Sequence, residues 1–375
     1  MIQQFNPNRL IEARKARGLT QEGLGEIIDK SKSTICKWEI GSSNPDAETI
    51  IKISEVLRLP VKWFALKTLQ TENKVYQFRS NATATKTLRG VVETRLNWLK
   101  EISFSLEEWV DYPEVNVVPS PTRIQALGLS DDDIEQYANN LRLLWKLGDR
   151  PIKNLIATIE SNGIIVAKER IGHDGMDGVS TWIDRPFIWV AEDKSNFFRG
   201  RFDIAHELGH IILHKNLTKD DCLKTTNRYK EIERQAHLFA THFLAPRRAL
   251  SLSFRSITLD NLLLEKKRWG MSVAALIMQY YNLGIISDDY RVRLFKNYSY
   301  RKWRKNEPYD DTTPVEYPKL MKNTIELLLN EGGFDREDLI ERTFYSEIEL
   351  EKLCSLPKGF FDTEKAIDKP RLRIL

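Results

Sequence analysis

Cysteine is scarce in this sequence, and long apolar segments are missing. The three cysteines, Cys36, Cys222 and Cys354, lie far apart in 375 residues, which excludes a disulfide framework and indicates a reducing compartment. No apolar run reaches the roughly 18 residues that a membrane span needs. The N-terminus has neither the basic start nor the apolar core of a secretion signal. These absences predict a cytoplasmic protein that has no membrane partner.

An excess of charge of one sign is also lacking. The chain has 57 Lys and Arg against 53 Asp and Glu, and its net charge of +4 favours no class of partner. Hydrophobic residues make up 41% of the chain, which is enough to fill the cores of two or three domains. The function must therefore be sought in local motifs.

The most informative motif lies at residues 201–214, in an apolar and strongly helical stretch. His206 and His210 are four residues apart, so on an α-helix they project about 40° from each other and direct two imidazoles to one point. Glu207 lies roughly 100° further round, beside that point. This pattern predicts two ligands of a catalytic zinc ion and a general base for a water whose pKa the metal lowers. The alternative is a buried helix whose histidines are only hydrogen-bonded.

A third ligand is expected from a second amphipathic helix, which the pattern at 229–246 predicts. A catalytic zinc takes three protein ligands and keeps one position open, and a helical carboxylate can complete the set. Glu231 and Glu233 both qualify. His242 shares the face of Glu231 and His237 that of Glu233, so either histidine could orient its carboxylate through a hydrogen bond.

Two further residues are candidates for the metal site. His214 follows His210 by four residues, but it lies about 12 Å along the helix from His206, too far for both to ligate one ion. A structural role, or a hydrogen bond to a ligand, is expected for His214 instead. Cys222 could plug the open position with its thiolate, and the alternative is an ordinary loop cysteine.

The segments RFDIAHELGHIILH and ERQAHLFATHFLAP resemble the ImmA/IrrE family of metallopeptidases. The resemblance implies Zn²⁺, with Mn²⁺ as the alternative, held by His206, His210 and Glu233, and it implies that Glu207 is the general base. Glu233 is thereby favoured over the other carboxylate. One position departs from the family pattern, because His237 stands where the family usually has Asn.

Residues 8–66 contain a second, independent signal. Their apolar residues and turns predict a compact bundle of short helices at 9–17, 21–28, 31–39 and 47–57. The motifs GLTQ at 18–21, SKSTI at 31–35 and KWE at 37–39 resemble the helix-turn-helix domain of the Cro/repressor (XRE) class. The resemblance implies that the third helix enters the major groove of double-stranded operator DNA.

The side chains expected to contact DNA fall into two groups. Those that reach base edges are Lys32, Ser33 and Lys37. Those that touch phosphates are Gln21, Ser31 and Asn44. Ten Lys and Arg against eight Asp and Glu in residues 8–66 make non-specific binding weak, so DNA recognition would depend on dimerisation and base contacts. The alternative is a bundle that only mediates a homodimer.

The remaining patterns predict a small sheet in a mainly helical chain. The polar residues 68–87 predict a linker or an extended crossing segment. Helices are expected at 88–112, 130–147, 151–163 and 272–283. Strand-like runs lie at 164–166, 180–183 and 186–190. Such a sheet before the zinc helix would let an edge strand hold an extended peptide by main-chain pairing.

The expected fold class is therefore α+β and mainly helical. A helix-turn-helix bundle (1–66) is followed by a linker and connecting helix (67–120), a minimal zincin-like metallopeptidase domain with a small sheet (121–290) and a mostly helical C-terminal region (291–375). Residues 291–305 combine seven basic side chains with four aromatic ones. Such a segment could bind single-stranded nucleic acid, but a solvated basic face is the favoured interpretation.

Both modules on one chain lead to the functional expectation. By resemblance, peptidases of the ImmA/IrrE type cleave helix-turn-helix repressors in bacteria and their mobile elements. We therefore expect a regulator that binds operator DNA and acts as a gluzincin-like zinc endopeptidase on a partner helix-turn-helix repressor or on itself. The competing hypothesis is a DNA-binding transcriptional regulator or antitoxin-like protein whose metal site is structural or silent.

Overall fold

The computed structural model describes residues 5–68, 77–80, 86–172, 176–193, 196–223, 226–252 and 256–362. Its helices are α1 (Pro7–Ala16), α2 (Gln21–Ile28), α3 (Lys32–Glu39), α4 (Ala47–Leu57), α5 (Lys86–Leu106), α6 (Arg123–Ala126), α7 (Asp131–Leu144), α8 (Leu155–Glu160), α9 (Phe197–Leu213), α10 (Asn227–Leu244), α11 (Arg247–Leu252), α12 (Leu259–Trp269), α13 (Val273–Asn282), α14 (Asp288–Tyr300), α15 (Leu320–Asn330), α16 (Arg336–Thr343) and α17 (Glu347–Leu353). The strands are β1 (Gln77–Ser80), β2 (Ile165–Glu169), β3 (Met176–Trp182) and β4 (Pro186–Ala191), and Val61–Ala65 forms a 3-10 helix. The α+β, mainly helical fold class is confirmed. Among the described helices, none is long and apolar enough to cross a membrane.

Polar caps explain why the N-terminal bundle follows the predicted pattern. Thr20, Ser31 and Asp46 hold the N-cap positions of α2, α3 and α4, and each side chain accepts a hydrogen bond from a backbone N–H of the first turn. The turn between α2 and α3 depends on Gly25, because a Cβ there would lie 2.5 Å from the carbonyl oxygen of Lys30. The two helices therefore cross closely, as a helix-turn-helix requires.

The sheet contains four strands in the order β1–β3–β4–β2. β3 pairs antiparallel with β1 on one side and with β4 on the other, while β4 pairs parallel with β2. Each predicted strand run overlaps β2, β3 or β4, but the middle strand begins earlier than predicted, at Met176. β1 falls inside the polar segment 68–87, so at least this part of the segment is an extended crossing strand and not a simple linker.

The sheet separates two hydrophobic cores, because successive side chains of a strand point to opposite faces. Ile188 and Val190 of β4 belong to the core that includes α9 and α10. Phe187 and Trp189 belong to the opposite core, which includes α5, the N-terminal bundle and the C-terminal helices. Helices therefore cover both faces of the sheet.

The N-terminal bundle shares the second core with α5, which the sequence suggested was only a connecting helix. Trp63 lies edge-on to Trp98 of α5, with ring centroids 5.4 Å apart, and both side chains are fully buried. Arg9 of α1 donates a hydrogen bond of 2.9 Å to Glu101 of α5. Packing and charge thus both join the bundle to the rest of the chain.

A chain of buried charges adds to this junction. Glu349 of α17 pairs with Arg17 at the end of α1, 2.9 Å away, and also with Arg95 of α5. Arg95 pairs at 2.6 Å with Glu169 at the end of β2, which accepts a 2.9 Å hydrogen bond from the indole of Trp189. The first helix, the last helix and the sheet are therefore linked by one ionic network.

Two predicted helices were too long. The helix predicted at 151–163 is only Leu155–Glu160, because the Asn154 side chain caps its first turn by accepting a 2.9 Å hydrogen bond from the N–H of Ala157. The helix predicted at 88–112 ends at Leu106, where the chain turns. Apolar residues beyond these ends pack in irregular structure, which periodicity alone does not distinguish from helix.

Candidate metal centre

Two packed helices bring three ligand-type side chains together. His206 and His210 project from α9, and Glu233 projects from α10. The Nε2 atoms of the histidines are 3.1 Å apart, and the Glu233 carboxylate oxygens lie 3.4 Å from His206 and 3.5 Å from His210. Gly209 allows this close helix packing, since a Cβ there would meet the Ala236 carbonyl oxygen at 3.1 Å. The three groups form a single potential metal site.

Glu207 is fully buried between α9 and β3. One carboxylate oxygen accepts a 2.7 Å hydrogen bond from the Ser180 hydroxyl. Gly178, on the same face of β3, leaves room for the carboxylate, because a Cβ at this position would lie 2.8 Å from the other oxygen. β3 therefore fixes the position of Glu207 beside the histidine pair.

A chain of hydrogen bonds sets the tautomer of His210. The side-chain N–H of Gln235 donates a hydrogen bond to a Glu231 oxygen at 3.5 Å, so the Gln235 oxygen faces Nε2 of His214, 2.9 Å away. Because this oxygen can only accept, Nε2 of His214 must carry a hydrogen. Burial lowers the pKa of His214 to about 3, so the ring is neutral and its Nδ1 is an acceptor. His210 Nδ1, 2.9 Å away, then donates to it. The lone pair of His210 Nε2 is left pointing to the other two ligand-type groups.

Electrostatics favour an ionised Glu233. Burial alone would raise the pKa of this carboxyl, but the adjacent imidazoles of His206 and His210 hold it well below the usual range. Tyr229, one turn earlier on α10, hydrogen-bonds to Glu233, and burial together with that negative charge raises the pKa of its hydroxyl. The site thus offers two imidazole nitrogens and one carboxylate oxygen as potential metal ligands.

The other residues considered from the sequence lie outside this group. Glu231, the alternative ligand, pairs with Arg234 at 2.8 Å. His242 lies 3.9 Å from Glu135, away from Glu231. His237 is exposed on α10, and its ring packs against Phe202 with centroids 4.7 Å apart.

Cys222 does not plug the site, because the ligand cluster found among the described residues does not include its sulfur. It packs instead in a small cluster with Ala126, Leu217 and Ile232. A short loop can bring its side chains to either side of the helices that it joins, so the distance of twelve residues from His210 did not determine this position.

The side chains expected at DNA differ in their exposure. Lys32, Ser33, Lys37 and Asn44 are exposed. Ser31 is exposed too, but its hydroxyl accepts the capping hydrogen bond of α3 from the N–H of Thr34 at 3.1 Å. Gln21 is half-buried and donates a 2.7 Å hydrogen bond to Glu39.

The basic and aromatic segment 291–305 is used only in part within the fold, and most of its basic side chains are exposed. Tyr298 is buried and donates a 2.9 Å hydrogen bond to Glu307, and Trp303 packs against the first core. Arg291 pairs with Asp288, and Arg301 pairs with Asp260. These contacts favour the solvated basic face over a stacking platform for single-stranded nucleic acid.

Sequence reasoning missed four residues that surround the centre: Gly178, Ser180, Tyr229 and Gln235. Nothing local marks the first two, because their contact with Glu207 joins a strand to a distant helix. The helical pair Glu231 and Gln235 has the i,i+4 spacing of side chains that meet on one face, and this spacing was the available signal.

Models of known protein families match two segments of the chain. Residues 159–291 match the IrrE N-terminal-like domain, and residues 10–64 match a helix-turn-helix domain. No curated protein matches the chain closely enough to count as a relative. The first match supports activity of the metallopeptidase type, and the second supports binding to double-stranded DNA. The chain therefore contains one segment similar to a helix-turn-helix domain and a second segment similar to the IrrE N-terminal-like domain.

Proposed function

We propose that the chain is a DNA-binding regulator with zinc-dependent endopeptidase activity. The observation that carries this proposal is the convergence of His206, His210 and Glu233 next to the buried Glu207. Tetrahedral zinc with bonds of about 2.0–2.1 Å places two ligands about 3.4 Å apart. The separations of 3.1, 3.4 and 3.5 Å are close to that value, so the donor set fits Zn²⁺. Mn²⁺ is the alternative.

Glu207 is the proposed general base. A bound zinc ion would acidify water and polarise the carbonyl of the scissile peptide bond. Glu207 would accept the proton of the attacking water and pass it to the leaving amine. The hydrogen bond from Ser180 holds the carboxylate in place for both transfers. His214 and Gln235 would keep His210 in the tautomer that presents Nε2.

The proposed substrate is a helix-turn-helix repressor or the chain itself. The N-terminal bundle would bind operator DNA as a homodimer, with Lys32, Ser33 and Lys37 at base edges and Gln21, Ser31 and Asn44 at phosphates. Binding at the operator would place the peptidase beside a repressor that occupies the same region of DNA. DNA recognition would thereby raise the local concentration of the substrate.

The substitution Glu207→Gln tests the peptidase. It keeps the shape of a side chain that is not a ligand but removes the proton acceptor, so zinc content should stay unchanged. Hydrolysis of a co-encoded repressor should fall by about 10²–10⁴-fold. Zinc would be measured by elemental analysis, and cleavage by gel and mass spectrometry with and without chelator. Full activity in the variant would refute the assigned role.

A further inference from the structure

The strand β3 has one edge beside the candidate catalytic centre, and the chain itself occupies that edge. Gly178 and Ser180 of β3 both lie against Glu207. Their partners on the far side are Val190 and Ile188 of β4. Only the opposite edge of β3 can then pair with an incoming extended peptide, and β1 is paired there.

The register places β1 alongside the general base. Gln77 is paired with Ser180, and Arg79 is paired with Gly178, in antiparallel orientation. The backbone of β1 thus lies opposite the two residues that hold Glu207, and β1 also lies close to α9. A peptide that is to be cleaved must pass within reach of Glu207, because this residue acts on the attacking water and the leaving amine.

We propose that β1 is an internal occupant of the substrate edge and that it competes with an external peptide strand. The inference rests on the proposed function, because it assigns β3 as the strand that binds substrate. The substrate class follows from the pairing: an extended segment recognised through its main chain, antiparallel to β3. Binding of such a segment requires displacement of residues 77–80.

The geometry of β1 makes this displacement feasible. The strand has only four residues, and its register shifts between Arg79 and Ser80, so the ladder is short and interrupted. It is tethered on both sides, to the 3-10 helix and to α5, which gives it an effective concentration on the order of millimolar. If β1 itself binds this edge with an intrinsic Kd of about 0.1 mM or lower, that concentration weakens the binding of an external peptide by at least about tenfold.

The test measures peptide binding and not cleavage. Zinc-loaded full-length protein with Glu207→Gln would be titrated with a fluorescein-labelled peptide of the sequence KVYQFRSNA, which corresponds to residues 74–82. A second protein would add Gln77→Pro and Phe78→Pro. Backbone N–H groups of adjacent strand residues point to opposite sides, so two successive prolines remove at least one ladder hydrogen bond. The matched control adds Thr71→Pro and Glu72→Pro, outside β1.

The expected result is a Kd at least about tenfold lower in the Gln77→Pro, Phe78→Pro protein than in the parent, with the control unchanged. Replacement of residues 77–80 by Gly-Ser-Gly-Ser should have the same effect if the prolines prevent folding. Amide hydrogen exchange should show that the peptide removes protection from residues 77–80 in the parent. Equal affinities in all proteins, or no binding to any of them, would overturn the inference.

The failure of this inference can be told apart from failure of the proposed function. Binding is measured without Glu207, so a chain that cuts nothing can still show displacement of β1. The converse outcome is that the zinc-loaded protein with Glu207 intact cleaves a repressor while the binding proteins all show equal peptide affinities. The peptidase proposal would then stand, and the proposal that β1 competes with substrate would be refuted. Cleavage of the chain within residues 77–80 would also overturn the inference, because β1 would then be a substrate.

Discussion

At the scale of single residues, the candidate centre depends on which ring nitrogen of His210 carries the proton. The hydrogen-bond chain from Glu231 through Gln235 and His214 leaves its Nε2 unprotonated. A free histidine populates both tautomers. Hydrogen bonds that select one tautomer of His210 therefore increase the fraction of the protein that is ready to bind a metal. The Glu231 carboxylate thus orients the Gln235 amide, which in turn orients His214 for its hydrogen bond with His210.

Gln235→Met should therefore weaken zinc binding by about 10–100-fold without removing a ligand. Met has a similar length but gives His214 no comparable acceptor, so the ring can present its proton to His210 and oppose the required tautomer. Affinity would be measured by competition with a chromophoric chelator. Glu231→Gln is the matched variant, because it only frees the orientation of the Gln235 amide, and its effect should be smaller. An unchanged zinc affinity in Gln235→Met would show that these hydrogen bonds do not set the tautomer of His210.

At the scale of secondary structure elements, a buried carboxylate joins two helices that the sequence does not connect locally. Glu160, the last residue of α8, accepts hydrogen bonds from the N–H groups of Lys319 and Leu320, at the start of α15. Burial raises its pKa to about 7 despite these donors. The folded chain consequently holds this proton to a higher pH than the unfolded chain does.

Stability should then fall as the pH rises through this window. The unfolded chain releases the proton near 4.5 and the folded chain near 7, so the folded state binds more protons in between. Glu160→Gln has no such proton and keeps an acceptor for both N–H groups. Its stability relative to the parent should therefore increase by about 2 kcal/mol from about pH 5 to pH 8. Urea unfolding at both pH values measures this difference, and a pH-independent difference would contradict the prediction.

The elements also show which contacts a sequence can predict. α9 and α10 were predictable, because apolar periodicity and the spacing of His206 and His210 are local properties of a helix, whereas the choice of Glu233 over Glu231 came from the family resemblance. The pairing of β1 with β3 was not, because nothing in a polar segment indicates a partner a hundred residues away. Ser180 and Gly178 escaped prediction for the same reason. Helical sites can be read from spacing, whereas the strand that supports them is defined by tertiary pairing.

At the scale of the whole molecule, the DNA-binding bundle and the candidate peptidase are not independent units. The second core contains residues of the bundle, of α5, of the sheet and of the C-terminal helices. The ionic network of Arg17, Glu349, Arg95 and Glu169 crosses the same junction. A change at the DNA-binding end is thereby mechanically connected to the sheet that supports Glu207.

Glu349→Gln should reveal this connection. The Glu349 side chain is 1% exposed, and its negative charge balances the positive charges of Arg17 and Arg95. Loss of this charge leaves buried positive charge unbalanced and should lower the free energy of unfolding by about 3 kcal/mol. Because the core is shared, the tryptophan fluorescence change and zinc release should move together to lower denaturant concentration. The exposed pair of Lys62 and Glu341, 70% and 71% exposed, provides the control, and Lys62→Ala should change stability by less than about 0.5 kcal/mol. If Glu349→Gln unfolds the N-terminal bundle while zinc stays bound, the two parts are separate folding units and DNA binding has no direct route to the peptidase sheet.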